Sequence, residues 1–214
     1  MSKALKLEKR ESGVVLLTID LPDSKLNFMS EPVLRELQAA LDEIEADSSC
    51  KGVIIVSGKE SGFGAGADVK QIQALQSQPV DKILEAVEAG KAVFSRLKKL
   101  NSIAVHGICY GGFTELALWC RKRIAAADED DLKTDIQVPE VNLGFLPGWG
   151  GTVMIPRMIG LDQGFRFLTG GKGLDGKKAW ALGLFDDVVA RAEMIERAEA
   201  ILLGARTRKA SKSA

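Results

Sequence analysis

The sequence predicts an α/β fold built on a largely parallel sheet. Three observations carry this reading. Short apolar runs alternate with amphipathic helical stretches along the whole chain, which implies parallel strands joined by right-handed crossovers. The run 14–19 (VVLLTI) is apolar almost throughout, as in a strand covered on both faces. Twice, at 62–68 and at 111–112, a strand leads through glycines into a helix.

Taken in order, 5–11 and 13–20 read as two strands around a turn at Ser12-Gly13. Pro22-Asp23-Ser24 carries turn chemistry. Ser30 is placed to cap a helix over 31–46, with Pro32 in its first turn and Val33, Leu37, Ala40, Leu41 and Ile44 on one face. A strand over 52–57 precedes the loop KESGFGAGAD. Asp68 caps a helix to about Gln76, and Pro79 opens another to about Lys99. A strand follows over 103–105, then a helix from Gly112, then a strand over 124–127. From Gly148 three helical stretches follow, the third capped by Asp175. The chain closes with a strand over 185–189 and a helix over 191–203. The residues show no internal repeat. They read as one domain, 1–204, and a basic, disordered tail, 205–214.

Composition narrows the function. Lys+Arg and Asp+Glu balance at 29 each, which argues against a nucleic-acid binder. No apolar run approaches the ~18 residues of a membrane span, and the N-terminus has no signal-peptide core. Cys50, Cys109 and Cys120 have no CxxC spacing and are odd in number, so reduced, buried thiols in a cytoplasmic protein are expected. His106 is the sole histidine, which disfavours a zinc site, and no G-x-S-x-G elbow is present.

Gly62, Gly64 and Ala67 fit G-x-G-x-x-A, so a dinucleotide site enters consideration. Against it, three residues separate the strand from the first glycine, and the acids about 20 residues on, Asp81 and Glu85, fall inside a helix. The alternatives are a loop whose bare N–H groups approach a ligand oxygen, or an ordinary glycine loop. Gly111-Gly112 repeats the arrangement. Two such turns on neighbouring strands bring two N–H donors to one point, an oxyanion hole suited to a thioester carbonyl that becomes an enolate. Glu115 lies one helical turn beyond Gly112 among apolar residues, and Glu140 follows Val138-Pro139. Buried carboxylates are costly, so the two suggest a paired acid/base site. Solvated positions on a helix and in a surface turn are the competing readings.

GFGAGADVKQI, HGICYGGFTELAL, VPEVNLGFLPGWGGT and IPRMIG together resemble the crotonase (enoyl-CoA hydratase/isomerase) superfamily. The likeness is strongest to the hydratase domain that begins the fatty acid oxidation multienzyme. It runs from D-x-P-x-x-K-x-N at 20–27 to LGLFDDVV at 182–189. The resemblance implies a spiral of ββα units with a C-terminal helical segment, shortened in this chain. It implies coenzyme A as part of the substrate, no bound cofactor and no metal. It assigns the oxyanion N–H groups to Ala67 and Gly112 and the two acids to Glu115 and Glu140. It gives Ala65, Gly66, Asp68, Gly111, Phe113, Pro147 and Gly148 as substrate-binding. Lys25 and Lys70 are coenzyme A candidates, with solvated lysines as the alternative.

The implied activity is hydration of 2-enoyl-CoA thioesters in fatty acid β-oxidation. Δ3-Δ2-enoyl-CoA isomerisation and non-catalytic acyl-CoA binding are the alternatives. The implied assembly is a trimer, a hexamer or a place in the multienzyme. The chain departs from the family pattern at Phe113, Tyr110, Trp119 and Trp149, which replace smaller residues. One reading has a ring at Phe113 narrow the acyl tunnel or tilt the Gly112 N–H; the competing reading packs these rings into the core.

Overall fold

The computed structural model describes residues 3–99, 101–127 and 133–207; residues 208–214 of the expected tail lie outside the described residues. The large sheet contains β1 (Leu5–Lys9), β2 (Val14–Ile19), β3 (Gly52–Ser57), β5 (Asn101–Val105), β7 (Lys122–Ala126) and β9 (Asp187–Val189), in the order β1-β2-β3-β5-β7-β9. β1 pairs antiparallel with β2, and every other pair is parallel. A small parallel sheet holds β4 (Gly62–Gly64), β6 (Ile108–Tyr110) and β8 (Asp135–Gln137), in the order β4-β6-β8.

The two sheets are laid down together. β3, β5 and β7 each enter the large sheet, and the strand that follows each one enters the small sheet. The chain then turns into helix: α2 (Val69–Gln76) and α3 (Val80–Ser95), then α4 (Gly112–Trp119), then a 3₁₀ turn at Pro139–Leu143 and α5 (Gly151–Ile159). This is a spiral of ββα units, although the residues themselves show no repeat. The units share a backbone path and not a residue pattern. The three strands of the small sheet are each three residues long, too short for a period-2 signal.

α1 (Glu31–Ala46) buries the five apolar residues its spacing predicts. Ser30 does not cap it: the N–H of Glu31 donates to Gln71 Oε1 at 3.1 Å, from α2. Asp68 and Asp175 do cap α2 and α7 (Gly176–Leu182), accepting from the N–H of Lys70 and Lys178. α6 (Leu161–Gly170) packs on α5, and α8 (Met194–Leu202) covers the second face of the large sheet. There Val14, Ile54, Ala104 and Ile124 meet Met194, Ala198 and Ile201. β2 is therefore apolar on both sides for the reason its sequence suggests. α4 is buried from Gly112 to Leu118, a helix threaded through the core.

Glycines let β4 and β6 cross at backbone distance. A Cβ on Gly62 would lie 2.5 Å from the nitrogen of Ile108, and one on Gly107 would lie 2.6 Å from the carbonyl oxygen of Ser61. Gly62 and Gly64 therefore belong to a strand, and their small size serves packing. This overturns the dinucleotide alternative, which needs them in a strand-to-helix phosphate turn.

Candidate active site

A cavity of about 310 Å³ opens beside the N-terminus of α4, between α2, α3 and the segment 139–149. Its wall is mostly apolar, from Ile72, Leu75, Ile83, Val87, Leu143 and Phe145. Its polar groups converge at one end, where Ala67, Gly112, Glu115 and Glu140 meet. An apolar cleft with few converging polar groups is the usual form of a small-molecule site.

The loop at 65–67 is held by one bridge to Met29. Met29 donates its N–H to the Gly66 carbonyl at 2.8 Å, and Asp68 donates its N–H to the Met29 carbonyl at 3.3 Å. In such a parallel bridge the central residue's own N–H points the other way. That residue is Ala67, which lines the cavity. Gly112 is the first residue of α4, so its N–H has no acceptor within the helix. Gly66 lies over the turn before α4: with φ at 91°, a Cβ on it would stand 3.3 Å from the Tyr110 carbonyl oxygen. The two glycine turns expected to converge do lie against each other.

Asn27 fixes this approach, a role its sequence context does not announce. Its side chain is fully buried. Nδ2 reaches the carbonyls of Ile19 and Phe63 and the hydroxyl of Ser57 at 2.9–3.1 Å. Oδ1 accepts from the N–H of Leu21, and the backbone carbonyl accepts from Ala65. One amide thus joins the ends of β2, β3 and β4 at the root of the loop.

Glu115 and Glu140 are 2% and 6% exposed, so neither solvated reading holds. Glu115 Oε1 accepts from the N–H of Trp149 at 2.7 Å and of Gly151 at 2.9 Å. Gly151 opens α5, so the carboxylate also meets a positive helix end. Burial nevertheless raises its pKa to about 8; the charge of Glu140 adds to the rise and the two N–H groups oppose it. Glu140 lies in the 3₁₀ turn, with Oε1 against Gly111. Burial raises its pKa to about 7, opposed by its own backbone N–H. Its Oε2 is buried and, among the described residues, has no hydrogen-bond partner. Both carboxyls are raised into the neutral range, and the closeness of about 8 and about 7 leaves the site of the shared proton to the hydrogen bonds. Hydrogen bonding separates the two groups. Donors that favour an ionised oxygen surround Glu115 Oε1, whereas Glu140 Oε2 has none.

Phe113 requires a correction. Its ring is fully buried and points away from the cavity. It stacks edge-on to Phe63 at 5.7 Å and fills the space that a Cβ on Gly64 would take, 2.4 Å from the ring. It does not line the cavity, which is the core-packing reading. The aromatic residue on the wall beside Gly112 is Trp149, whose ring lies 2.5 Å from where a Gly112 Cβ would be and 5.2 Å from the ring of Phe94.

Ala65, Gly66, Gly111 and Gly148 also line the cavity. Pro147 packs against Gly151 and is not on the wall. Asp68 is occupied as the α2 cap, and Lys25 and Lys70 are exposed and off the wall. Tyr110 donates its hydroxyl to Asp135 at 2.6 Å, away from the cavity.

A family model described as enoyl-CoA hydratase/isomerase matches residues 9–214. The fatty acid oxidation complex subunit alpha of Shewanella amazonensis is 40% identical over 213 residues, which is 98% of this chain and 30% of that protein. Its counterpart from Shewanella oneidensis is 40% identical over 192 residues, 88% of this chain and 26% of that one. The chain thus spans about 30% of the length of the curated relatives it matches. Among solved structures, an enoyl-CoA hydratase from Bacillus anthracis superposes with a TM-score of 0.81 at 27% identity, covering 94% of this chain and 76% of that one. One from Thermoplasma volcanium gives 0.83 at 25%, covering 95% and 79%. Sequence likeness over nearly the whole chain, together with the ββα spiral, establishes that the chain belongs to the enoyl-CoA hydratase/isomerase, or crotonase, family.

Proposed function

We propose that the cavity hydrates 2-enoyl-CoA thioesters, adding water across the C2–C3 double bond in fatty acid β-oxidation. The observation that carries this reading is the pair Glu115 and Glu140. Two buried carboxyls with raised pKa values line one apolar cavity, beside two backbone N–H groups. Hydration needs a base for water and an acid for C2, and the pair supplies both when it holds one proton. Glu115, with donors on Oε1, serves as the carboxylate that takes a proton from water. The water oxygen bonds to C3, and the double-bond electrons move toward the thioester oxygen. The resulting enolate accepts hydrogen bonds from the N–H groups of Ala67 and Gly112. Removing one such donor typically costs ~3 kcal/mol of transition-state stabilisation. Glu140 delivers its proton to C2, and the carbonyl reforms. The apolar wall takes the acyl chain and excludes competing water.

The test follows loss of the conjugated thioester absorbance with crotonyl-CoA and longer 2-enoyl esters, in wild type, Glu115→Gln and Glu140→Gln. Wild type should hydrate, and each variant should lose activity at least a thousandfold while still binding a saturated acyl-CoA. Wild-type protein that binds but never turns over sinks the reading in favour of an acyl-CoA-binding role.

A further inference from the structure

Trp119 lies outside the cavity at the end of α4, one helical turn beyond Glu115. Residues four apart share a helix face. Here both side chains reach one turn, Trp149 to Gly151. Glu115 Oε1 accepts from the first and third N–H groups. The indole N–H of Trp119 donates to the Trp149 carbonyl at 2.6 Å. Its ring covers Gly150, where a Cβ would stand 3.2 Å from Nε1. Gly150 has φ at 121°, a conformation closed to other residues, so no side chain of its own holds the turn. The peptide that Trp119 grips lies between the two that hold Glu115.

We propose that Trp119 is a positioning residue: by locking the Trp149–Gly151 turn through its indole N–H, it aims both backbone donors at Glu115 and so sets that carboxyl's orientation and proton affinity. Its kinetic consequence rests on the hydration reading above; its effect on Glu115 does not. N–H···O bonds weaken steeply with misalignment, and donors to a carboxylate lower its hold on a proton. Freed from the indole, the turn rotates, the donors lose aim, and Glu115 stays protonated to higher pH. The fraction of enzyme carrying the water-activating carboxylate then falls at neutral pH, while the Trp149 ring stays packed on Phe94 and keeps its place on the cavity wall.

The test uses Trp119→Phe, which keeps an aromatic ring but deletes the donor. A second variant carries 3-benzothienylalanine at 119, which replaces the N–H by sulfur at nearly constant shape and guards against a packing defect. The carboxyl stretch is titrated by infrared difference against Glu115→Gln, which isolates Glu115. Both variants should raise its midpoint by about one pH unit, a tenfold change in proton affinity. At pH 7, kcat for 2-enoyl-CoA hydration should fall about tenfold with KM within about twofold. An unchanged midpoint in the folded benzothienyl variant overturns the proposal. A shifted midpoint in a protein whose wild type hydrates nothing supports the positioning role and sinks the hydration reading instead.

Discussion

A methyl group on Gly111 would stand 2.8 Å from Glu140 Oε1, so the absence of a side chain at one residue is what admits the carboxyl of the other. Gly111 also has φ at 52° and ψ at −123°, outside the range of L side chains. Gly111→Ala should therefore displace Glu140 and strain the start of α4. We expect a stability loss of about 1–3 kcal/mol in urea unfolding and a roughly hundredfold fall in crotonyl-CoA hydration. Gly170→Ala is the control, because nothing lies within 4 Å of that position and its φ is ordinary. Equal effects at the two sites would show that Gly111 merely tolerates any residue.

Stability should fall as pH rises through neutrality. The folded pKa values of Glu115 and Glu140, about 8 and about 7, lie above the ordinary 4.5. A group with a raised folded pKa favours folding fully below its unfolded value, and that contribution is lost as pH climbs through the folded one. The window is thus about pH 4.5 to 8. Glu115→Gln should be more stable than wild type at pH 9, by on the order of 2–4 kcal/mol in urea unfolding, and match it near pH 4.5. Curves that stay parallel across the window would contradict the burial of this charge.

The rate should respond to pH as a narrow bell. One carboxyl must be ionised and the other protonated, so kcat/KM should drop below about pH 7 and above about pH 8, with both limbs belonging to the pair. A profile flat from pH 5 to 9 would count against shared acid/base work.

Phe113 tests the cavity wall by its exclusion from it. Phe113→Ala removes a fully buried ring from beside Gly64 and Phe63. It should cost about 3–5 kcal/mol of stability and leave the ranking of acyl chain lengths unchanged. A changed chain-length ranking with little stability loss would return the ring to the acyl tunnel.

Asn27→Leu should slow turnover without touching substrate. It takes a donor from the Phe63 carbonyl and the acceptor from the Leu21 N–H, at about 1–3 kcal/mol for a buried group left unpaired, while the Ile19 carbonyl keeps the N–H of Gly58, and it loosens the root of the 65–67 loop. The expected signature is a fall in kcat of tenfold or more, with KM moved less, since in the proposed reaction the Ala67 N–H serves the enolate. A pure KM effect would show that Asn27 shapes binding and not the oxyanion geometry.

Much of this was legible in the residues, for reasons that can be traced. α1 declares itself because five apolar residues recur at helical spacing and all five are buried. Glu115 and Glu140 stand out because carboxylates are rare among apolar neighbours and need a reason to be there. The small sheet stayed hidden because β6 and β8 are three residues each, and β6 lies within glycine-rich sequence that reads as a turn. The residues leave Phe113 open between tunnel and core because sequence adjacency to Gly112 says nothing of direction: along α4 each residue turns about 100° from the last, which carries this ring to β4. The grip of Trp119 on the Trp149 carbonyl joins positions 30 residues apart, and no local pattern encodes it.

The most direct test of paired-carboxylate hydration is isotopic. Crotonyl-CoA is incubated with wild type in D₂O enriched in ¹⁸O, and the product is read by mass spectrometry and proton NMR. The account requires one ¹⁸O at C3 and one deuterium at C2, with both labels lost in Glu115→Gln and Glu140→Gln. Deuterium exchange at C2 or C4 without ¹⁸O would contradict it and mark a proton shuttle of the isomerase kind.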